Sequence, residues 1–190
     1  RYKSEKGLVS AGPVATFLEY AVISENRVVP IDKRVKVSIA ALLGCAVPTG
    51  MGIVKRLNVE PGQKVIVFGL GGIGVSALLK AKSLGTEVTA VDIIDWKLKW
   101  AKEELVVNEA IRPDQITSKD FDFAIECSGN KKAMEIAFEC IKDRGAAVIV
   151  GNLEPGEKIS IDPFDLIKGK KIQGTWGGET FLDTDIPAYA

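Results

Sequence analysis

Three glycines, Gly69, Gly71 and Gly74, follow the apolar run 64–68 at the spacing G-x-G-x-x-G. In a dinucleotide site the first glycine permits a sharp turn, the second lets the backbone approach a pyrophosphate, and the third lets a helix pack close to a strand. The phosphate oxygens then bind the unpaired N–H groups of the first helical turn. Because glycine-rich turns also occur for purely conformational reasons, this interpretation depends on the residues around the turn.

An acidic residue follows the second apolar run, 87–91, because Asp92 stands 18 residues after Gly74. A carboxylate at this strand end accepts hydrogen bonds from the adenosine ribose hydroxyls and repels a 2′-phosphate, so it predicts NAD rather than NADP. The alternative is that Asp92 only caps the helix that follows it. The glycines, the strand and the spacing together favour the cofactor interpretation.

The chain contains three cysteines and no histidine. Cys45, Cys127 and Cys140 are too few and too far apart for a disulfide framework or a Cys-x-x-Cys zinc site, which is typical of a reducing compartment. We therefore expect a cytoplasmic protein. Without histidine the chain lacks the commonest metal ligand and the usual general base, so any catalytic apparatus that uses imidazole must lie outside it.

The charges of the chain balance, with 25 basic and 25 acidic residues and no long run of one sign. This pattern predicts no nucleic-acid or membrane binding and favours a small-molecule partner. No signal peptide is evident, and glycine and proline interrupt the longest uncharged run, 37–54, so we expect it to be buried and not to span a membrane. Since the chain starts without methionine and stops just after a possible helix start at 184–187, we expect both ends to be internal to a longer protein.

Strands and helices alternate from residue 64 onward. Apolar runs predict six strands, of which the third is weak, at 64–68, 87–91, 108–111, 121–127, 146–150 and 171–176. Helical periodicity and turn residues predict helices from the glycine turn to residue 82 and at 95–105, 131–141 and 163–168. The alternation predicts an α/β fold with a doubly wound, parallel six-stranded sheet.

The first 37 residues do not share this alternation. The β-rich runs 15–23 and 27–31, separated by a polar turn, predict two strands of another domain. A short helix from Ser38 and a second helix at 53–57, separated by a glycine-rich stretch, then lead to a turn at 60–62.

Four segments, in this order, resemble the zinc-dependent alcohol dehydrogenases of the medium-chain dehydrogenase/reductase family: 16–20 (TFLEY), 43–50 (LGCAVPTG), 60–62 (EPG) and 69–74 (GLGGIG). The resemblance covers nearly the whole chain. It implies that residues 1–44 are the tail of a GroES-like catalytic domain and that residues 45–176 are the NAD-binding Rossmann domain. Residues 177–190 would begin the return to the catalytic domain.

The same resemblance implies roles for individual residues. Cys45 matches the third protein ligand of the catalytic zinc, whose other ligands lie far upstream, so zinc is expected in the parent protein only, since one thiolate cannot hold it. Asp92 and Lys97 match residues that hold the adenosine ribose, and Ile73 matches the apolar residue behind the nicotinamide ring. The other matched positions are Gly69, Leu70, Gly71, Gly72 and Gly74 in the turn, and Val47, Thr49, Ser128, Gly151, Asn152 and Thr175 at the nicotinamide half.

The chemistry implied is reversible hydride transfer between an alcohol and NAD, with zinc polarising the oxygen. The chain would orient the nicotinamide, while missing segments would bind the alcohol or carbonyl substrate, so the isolated chain is expected to be inactive. A homodimer through the sheet edge at 171–176 is implied by analogy. One departure is the stretch 104–107, where family members usually end a helix with glycine, and it leaves the register of the third strand open.

Three other functions fit parts of the pattern. A zinc-free quinone or enoyl reductase of the same superfamily is the nearest, although Cys45 and Asp92 count against it. A methyltransferase also uses a glycine-rich turn, but Phe68 stands where its usual acidic residue would precede the glycines. A non-enzymatic nucleotide-sensing module is the third.

Overall fold

The computed structural model describes residues 2–4, 7–9 and 19–190. A short antiparallel hairpin pairs β1 (Tyr2–Ser4) with β2 (Gly7–Val9). The α-helices are α1 (Val37–Ala40), α2 (Ala46–Arg56), α3 (Gly72–Ser83), α4 (Asp95–Glu103), α5 (Lys131–Glu139), α6 (Pro163–Ile167) and α7 (Leu182–Tyr189). The remaining strands are β3 (Lys64–Phe68), β4 (Glu87–Val91), β5 (Glu109–Ile111), β6 (Phe121–Glu126), β7 (Ile141–Ile149) and β8 (Lys171–Gly174).

Strands β3 to β8 form one parallel sheet in the order β5-β4-β3-β6-β7-β8. The chain moves outward from β3 to β5, returns to β6 beside β3, and then moves outward in the other direction. This order confirms the predicted doubly wound fold. Phe68 of β3 pairs with Glu126 of β6, so the carboxyl ends of the two central strands lie side by side. Ligand crevices form at this point in such sheets, because the strand order reverses there.

The core lies on both faces of this sheet because alternate residues of a strand point to opposite sides. Val65 and Val67 of β3 belong to a buried cluster that includes Leu78 of α3, whereas Ile66 and Phe68 belong to a second cluster with Phe138 of α5. All four β3 residues are at most 1% exposed. A strand buried on both faces reads as a continuous apolar run, which explains why the sequence located it correctly.

Helix α2 differs from the prediction, because it is continuous from Ala46 to Arg56 and includes the glycine-rich stretch. Pro48 is tolerated in the first turn, where its missing N–H would have no helical partner. Gly50 and Gly52 lower helix propensity, but each meets a neighbouring backbone closely. A Cβ on Gly50 would lie 2.4 Å from the Ile73 carbonyl oxygen, and one on Gly52 would lie 2.6 Å from the Gly178 carbonyl oxygen. Tertiary packing therefore overrides local propensity here.

The predicted N-terminal strand at 27–31 is wrong. Glu25–Arg27 forms a 3-10 turn, and residues 28–31 form no strand. Val28 is half exposed, and Pro30 has no N–H to donate to a ladder, so this run lacks the pairing that a strand requires. The other predicted strand, 15–23, lies partly outside the described residues, and its described part, 19–23, is not a strand.

Two boundaries on the second half of the sheet also differ. Helix α5 ends at Glu139, and β7 already begins at Ile141, five residues before the predicted start. The register between β6 and β7 shifts after the pair Phe121 and Ile141, so β7 begins with an irregular stretch before regular pairing resumes at Ala146. The apolar run starts only there, which is why the pattern missed the earlier residues.

The uncharged run 37–54 contains helix α1 and most of helix α2. Within residues 19–190 no single helix has the length and apolar composition to cross a bilayer, and the segments Val37–Gly44 and Ala46–Arg56 have them only together, with a bend of 58° between them.

The end of α4 explains the missing glycine at 104–107. Val106 has a φ of 51°, in the left-handed region where glycine is at ease and a β-branched residue is strained. The following N–H, of Val107, bonds the Ala101 carbonyl oxygen at 3.3 Å and brings the Val107 side chain into the core. The chain thus keeps the helix-ending turn without glycine, and β5 pairs in register with β4, Ala110 opposite Ala90.

We expect Val106→Gly to stabilise the protein by about 1 kcal/mol, because relief of about 1–3 kcal/mol of backbone strain exceeds the added freedom of glycine in the unfolded chain. Val106 is 63% exposed, so little buried surface is lost. Urea unfolding of both proteins measures the difference. Val28, which is also exposed but has a φ of −120°, is the matched control, and Val28→Gly should destabilise the protein. Equal losses in both variants would contradict the strain at Val106.

Candidate functional site at the carboxyl edge of the sheet

The three glycines of the turn after β3 have different surroundings. Gly69 has a φ of 86°, and a Cβ there would lie 2.9 Å from the backbone of Ser128. A Cβ on Gly74 would lie 1.9 Å from the Gly69 carbonyl oxygen, so glycine is required for α3 to pack against the turn. Gly71 is extended, with φ −88° and ψ −172°, and a Cβ there would meet nothing within 4 Å. The backbone conformation at position 71 therefore does not require glycine, and the space that a side chain would occupy there is open.

Asp92 lies at the end of β4 and is 8% exposed. Its Oδ2 accepts the Leu70 N–H at 2.7 Å, and its Oδ1 accepts the Ile94 N–H at 3.0 Å. Lys97 Nζ lies 3.5 Å from Oδ2, which brings the two predicted ribose-binding residues together. The Asp92 carboxylate thus joins the glycine turn to the start of α4. The capping interpretation is not borne out in its strict form, because the residue at the N-cap of α4 is Ile94 and no side chain caps the helix. The Asp92 carboxylate instead lines the crevice.

A cavity of about 380 Å³ lies beside Asp92, between the ends of β3 and β4 and helix α5. Its size is within the range of small-molecule sites, which are mostly apolar with a few polar groups. Asp92, Ser128 and Asn130 are polar members of its lining. Its apolar surface comes from Phe68, Val91, Ile93, Pro113, Ala133 and Ile136. Such a slot fits a flat heteroaromatic base with a hydroxylated group at Asp92.

A second cleft, of about 230 Å³, opens on the other side of the β6 turn. Four predicted site residues line it together, and they are Ile73, Ser128, Gly151 and Asn152. Ser128 lines both hollows and separates them. Each hollow also borders one end of the glycine turn, the first at Gly69 and the second at Ile73.

Cys127 also lines the second cleft, but its thiol is not a nucleophile. Burial raises the pKa of Cys127, and the neighbouring Glu126 carboxylate raises it further. Because the thiolate is the reactive form, the neutral thiol contributes only surface. Cys127 therefore offers the cleft no nucleophile.

Glu126 is the residue of this site that sequence reasoning missed. It is fully buried at the end of β6, and its Oε1 accepts the N–H groups of Ser128 at 2.7 Å and Gly129 at 3.0 Å, together with the Ser128 hydroxyl. Its Oε2 has no hydrogen-bond partner among the described residues, and a Cβ on Gly151 would lie 2.7 Å from it. Glu126 thus holds the turn that separates the two hollows. The signal in the sequence is an acid that directly follows the apolar run 123–125 at the end of β6.

The other predicted site residues approach from α2 and β8. Val47 and Thr49 lie in the first turns of α2. Gly50 of the same helix contacts Ile73 of α3. Thr175 directly follows β8, and its N–H bonds the Ile149 carbonyl oxygen at 3.2 Å. All carboxyl ends of a parallel sheet lie at one edge, so Thr175 belongs to the same edge as the crevice.

The resemblance predicts that Cys45 binds zinc only together with two ligands that lie upstream of this chain. The Cys45 side chain is exposed at the start of α2. Among residues 19–190, no group of three or more histidine, cysteine, aspartate or glutamate side chains is placed to hold a metal ion. A catalytic zinc needs three protein ligands and an open position, so the described residues do not fit a complete zinc site.

Comparisons with known proteins agree with this geometry. Residues 72–189 match the family model described as zinc-binding dehydrogenase. Among curated relatives, S-(hydroxymethyl)glutathione dehydrogenase of Saccharomyces cerevisiae is 36% identical over 186 residues, 88% of this chain and 46% of that protein. Alcohol dehydrogenase class-3 of Pisum sativum is 37% identical over 187 residues, 91% of this chain and 49% of that protein.

Two solved structures are similar over nearly the whole chain. The alcohol dehydrogenase zinc-binding domain protein from Burkholderia ambifaria has a TM-score of 0.86 at 28% identity, covering 93% of this chain and 50% of that one. Benzyl alcohol dehydrogenase from Acinetobacter calcoaceticus has a TM-score of 0.86 at 29% identity, covering 92% of this chain and 51% of that one.

The chain spans about half the length of the curated relatives it matches. The family match runs from Gly72 at the start of α3 to Tyr189 and covers strands β4 to β8 and the segment that follows them. The crevice, the strand order and the matched residues therefore lead to one assignment, which confirms the resemblance seen in the sequence: the chain belongs to the zinc-binding dehydrogenase family.

Proposed function

We propose that this chain is the NAD(H)-binding portion of a zinc-type alcohol dehydrogenase. The observation that carries the proposal is Gly71, an unstrained glycine that faces open space at the N-terminus of the 12-residue helix α3. A glycine that the backbone conformation does not need, between Gly69 of the first hollow and Ile73 of the second, fits a pyrophosphate that must approach the backbone. The first N–H groups of α3 have no helical partner and are available to its oxygens.

Each part of NAD has a counterpart on this edge of the sheet. The adenine fits the apolar cavity beside Ile93, and the ribose hydroxyls face the Asp92 carboxylate with Lys97 beside it. The nicotinamide half occupies the cleft lined by Ile73, Ser128, Gly151 and Asn152. The resemblance adds Val47 and Thr49 of α2 and Thr175 after β8. Bound NAD supplies the hydride acceptor, and the residues of this chain bind it, orient its ring and exclude water from one face.

The reaction proposed for the whole protein is reversible hydride transfer between an alcohol and NAD. The relatives named above include alcohol dehydrogenases, which supports a small alcohol or carbonyl compound as the substrate class. Cys45 would be one ligand of a zinc completed by residues upstream of this chain. Residues 1–44 and 177–190 would then belong with the catalytic domain, and residues 45–176 would form the cofactor domain.

The central test is NAD binding by Gly71→Val. Because Gly71 is extended and unobstructed, valine should leave the melting temperature of the free protein unchanged, while its branches enter the space of the pyrophosphate and abolish binding. Calorimetry with NAD and thermal melting with and without NAD measure both effects. Gly74→Val is the contrasting variant, since it should lose the fold itself. No NAD binding by the unmodified chain, or a NAD-induced rise in melting temperature that survives in Gly71→Val, would refute the proposal.

Cofactor choice depends on the charge of Asp92, which should favour NAD over NADP in the unmodified chain. Asp92→Asn keeps an oxygen for the Leu70 N–H but removes the charge, so the preference for NAD should fall by at least about tenfold. Dissociation constants for both cofactors measure it. Glu103→Gln, which removes an exposed charge from the far end of α4, should leave the preference unchanged. A tighter NADP complex in the unmodified chain would contradict the role of Asp92.

We further propose a homodimer through β8. This strand is at one edge of the sheet, and unpaired strand edges combined with exposed apolar side chains are typical of association sites. Ile167 is 79% exposed and Trp176 is 88% exposed on either side of it. Sedimentation should show a dimer that Ile167→Lys dissociates, whereas Ile93→Lys, an exposed apolar site near the opposite edge, leaves it intact. A monomeric unmodified chain, or equal behaviour of the two variants, would count against this edge.

A further inference from the structure

The segment after β8 packs against α2 at a distance that only glycine allows. A Cβ on Gly178 would lie 2.3 Å from the Thr49 carbonyl oxygen and 2.9 Å from the Thr49 Cα. The contact is reciprocal, because a Cβ on Gly52 would lie 2.6 Å from the Gly178 carbonyl oxygen. Thr180 adds a hydrogen bond from its hydroxyl to the Pro48 carbonyl oxygen at 2.7 Å. The return segment, residues 177–189, therefore touches the backbone of the turn that carries Thr49.

One buried acid joins the same two elements at the other end of α2. Asp185 Oδ1 accepts a hydrogen bond from Lys55 Nζ at 2.7 Å, and its Oδ2 accepts the Phe181 N–H at 3.0 Å. The Asp185 side chain is 8% exposed, although that of Lys55 is 57% exposed. The Lys55 ammonium lowers the pKa of Asp185, and the Phe181 N–H adds to this against the opposing effect of burial. Asp185 thus ties the last turn of α2 to the start of α7.

A second ion pair between these elements differs from the first in exposure. Arg56, the neighbour of Lys55, pairs with Glu179, and both side chains are at least 35% exposed. Exposed pairs contribute little to stability or position because water screens them and both side chains stay mobile. Two ion pairs thus link α2 to the return segment, one with a buried carboxylate and one exposed. Variants of the exposed pair can serve as matched controls for variants of the buried pair.

Helix α2 has glycine contacts on two sides, with α3 at Gly50 and with the return segment at Gly52. Its first turns carry Thr49, and the return segment begins two residues after Thr175. The resemblance assigns both threonines to the nicotinamide half, and Ile73, which α2 contacts through Gly50, lines the second cleft. The adenine cavity is lined instead by residues of β3, β4, α5 and the loops that follow the strands. A shift of α2 relative to the return segment would therefore change one half of the NAD site and leave the other half unchanged.

We propose that Asp185 and Lys55 are positioning residues for the nicotinamide half of NAD: through α2 they hold Thr49 at a fixed place relative to Thr175. Neither residue touches the cofactor. The proposal rests on the NAD-binding function proposed above, and it assigns part of that function to the return segment, which lies outside the Rossmann sheet.

The test compares two ligands that differ only in the nicotinamide, NAD and ADP-ribose, on the 190-residue chain by calorimetry. The double variant Lys55→Met with Asp185→Leu removes the tie without leaving a buried charge unpaired. We expect the dissociation constant for NAD to rise about tenfold, equivalent to about 1.4 kcal/mol, while that for ADP-ribose stays within about twofold. The matched control, Arg56→Gln with Glu179→Gln, should change neither constant.

A conservative variant separates positioning from general destabilisation. Lys55→Arg in the otherwise unmodified chain retains the charge and a hydrogen bond to Asp185, so its dissociation constant for NAD should stay near the unmodified value. If the double variant does not fold, as judged by thermal melting of the free protein, Asp185→Asn replaces it and should raise the NAD constant selectively but by less.

The outcomes are distinct. Equal weakening of NAD and ADP-ribose, no weakening of NAD, or an unmodified chain that binds both ligands equally would overturn the positioning role. If the unmodified chain binds neither NAD nor ADP-ribose, the proposed NAD-binding function itself fails. That result differs from an unmodified chain that binds both ligands and a double variant that weakens both equally.

Discussion

Close backbone contact at the carboxyl ends of β3 and β6 is the constraint on which the rest of the structure depends. The Gly69 turn is too close to Ser128 for any Cβ, α3 is too close to Gly69 for any side chain at Gly74, and a Cβ on Gly151 would lie 2.1 Å from the Gly129 nitrogen. Protein interiors are close-packed and have low compressibility, so the strands, the turn and α3 are held in one arrangement. The crevice depends on this arrangement, because Gly69 lines the first hollow and Gly129 and Gly151 line the second.

Two buried acids complete the arrangement, one at each neighbour of β3. Asp92 at the end of β4 binds the N–H of Leu70, and Glu126 at the end of β6 binds the N–H groups of Ser128 and Gly129. Charge-assisted hydrogen bonds to backbone donors are stronger than neutral ones, and they repay part of the cost of burying each carboxylate. The acids differ in what remains available: Asp92 borders the cavity, whereas Glu126 has no exposed surface. One acid is therefore suited to bind a ligand and the other to shape the turn beside it.

Close backbone contact at glycine also fixes the position of α2, a helix that lies outside the sheet. Gly50 and Gly52 bring it against α3 on one side and against the return segment on the other. A helix that carries two predicted nicotinamide contacts, and that follows Cys45, is thereby held by a segment that lies more than 120 residues later in the chain, as the pair Lys55 and Asp185 illustrates. The cofactor portion and the return segment form one packed unit in this respect.

The sequence by itself determined the sheet strands, the roles of Gly69 and Gly74, the place of Asp92 and the family, because each depends on local spacing or on an apolar run that any buried strand must have. Only the tertiary structure decided that α2 is continuous through Gly50 and Gly52, that 27–31 is not a strand, and that Val106 ends α4 with a positive φ. It also revealed the hydrogen bonds that buried Glu126 and Asp185 make to groups elsewhere in the fold. These features depend on contacts between residues far apart in the chain or on backbone strain that packing compensates, and neither leaves a periodic signal in the sequence.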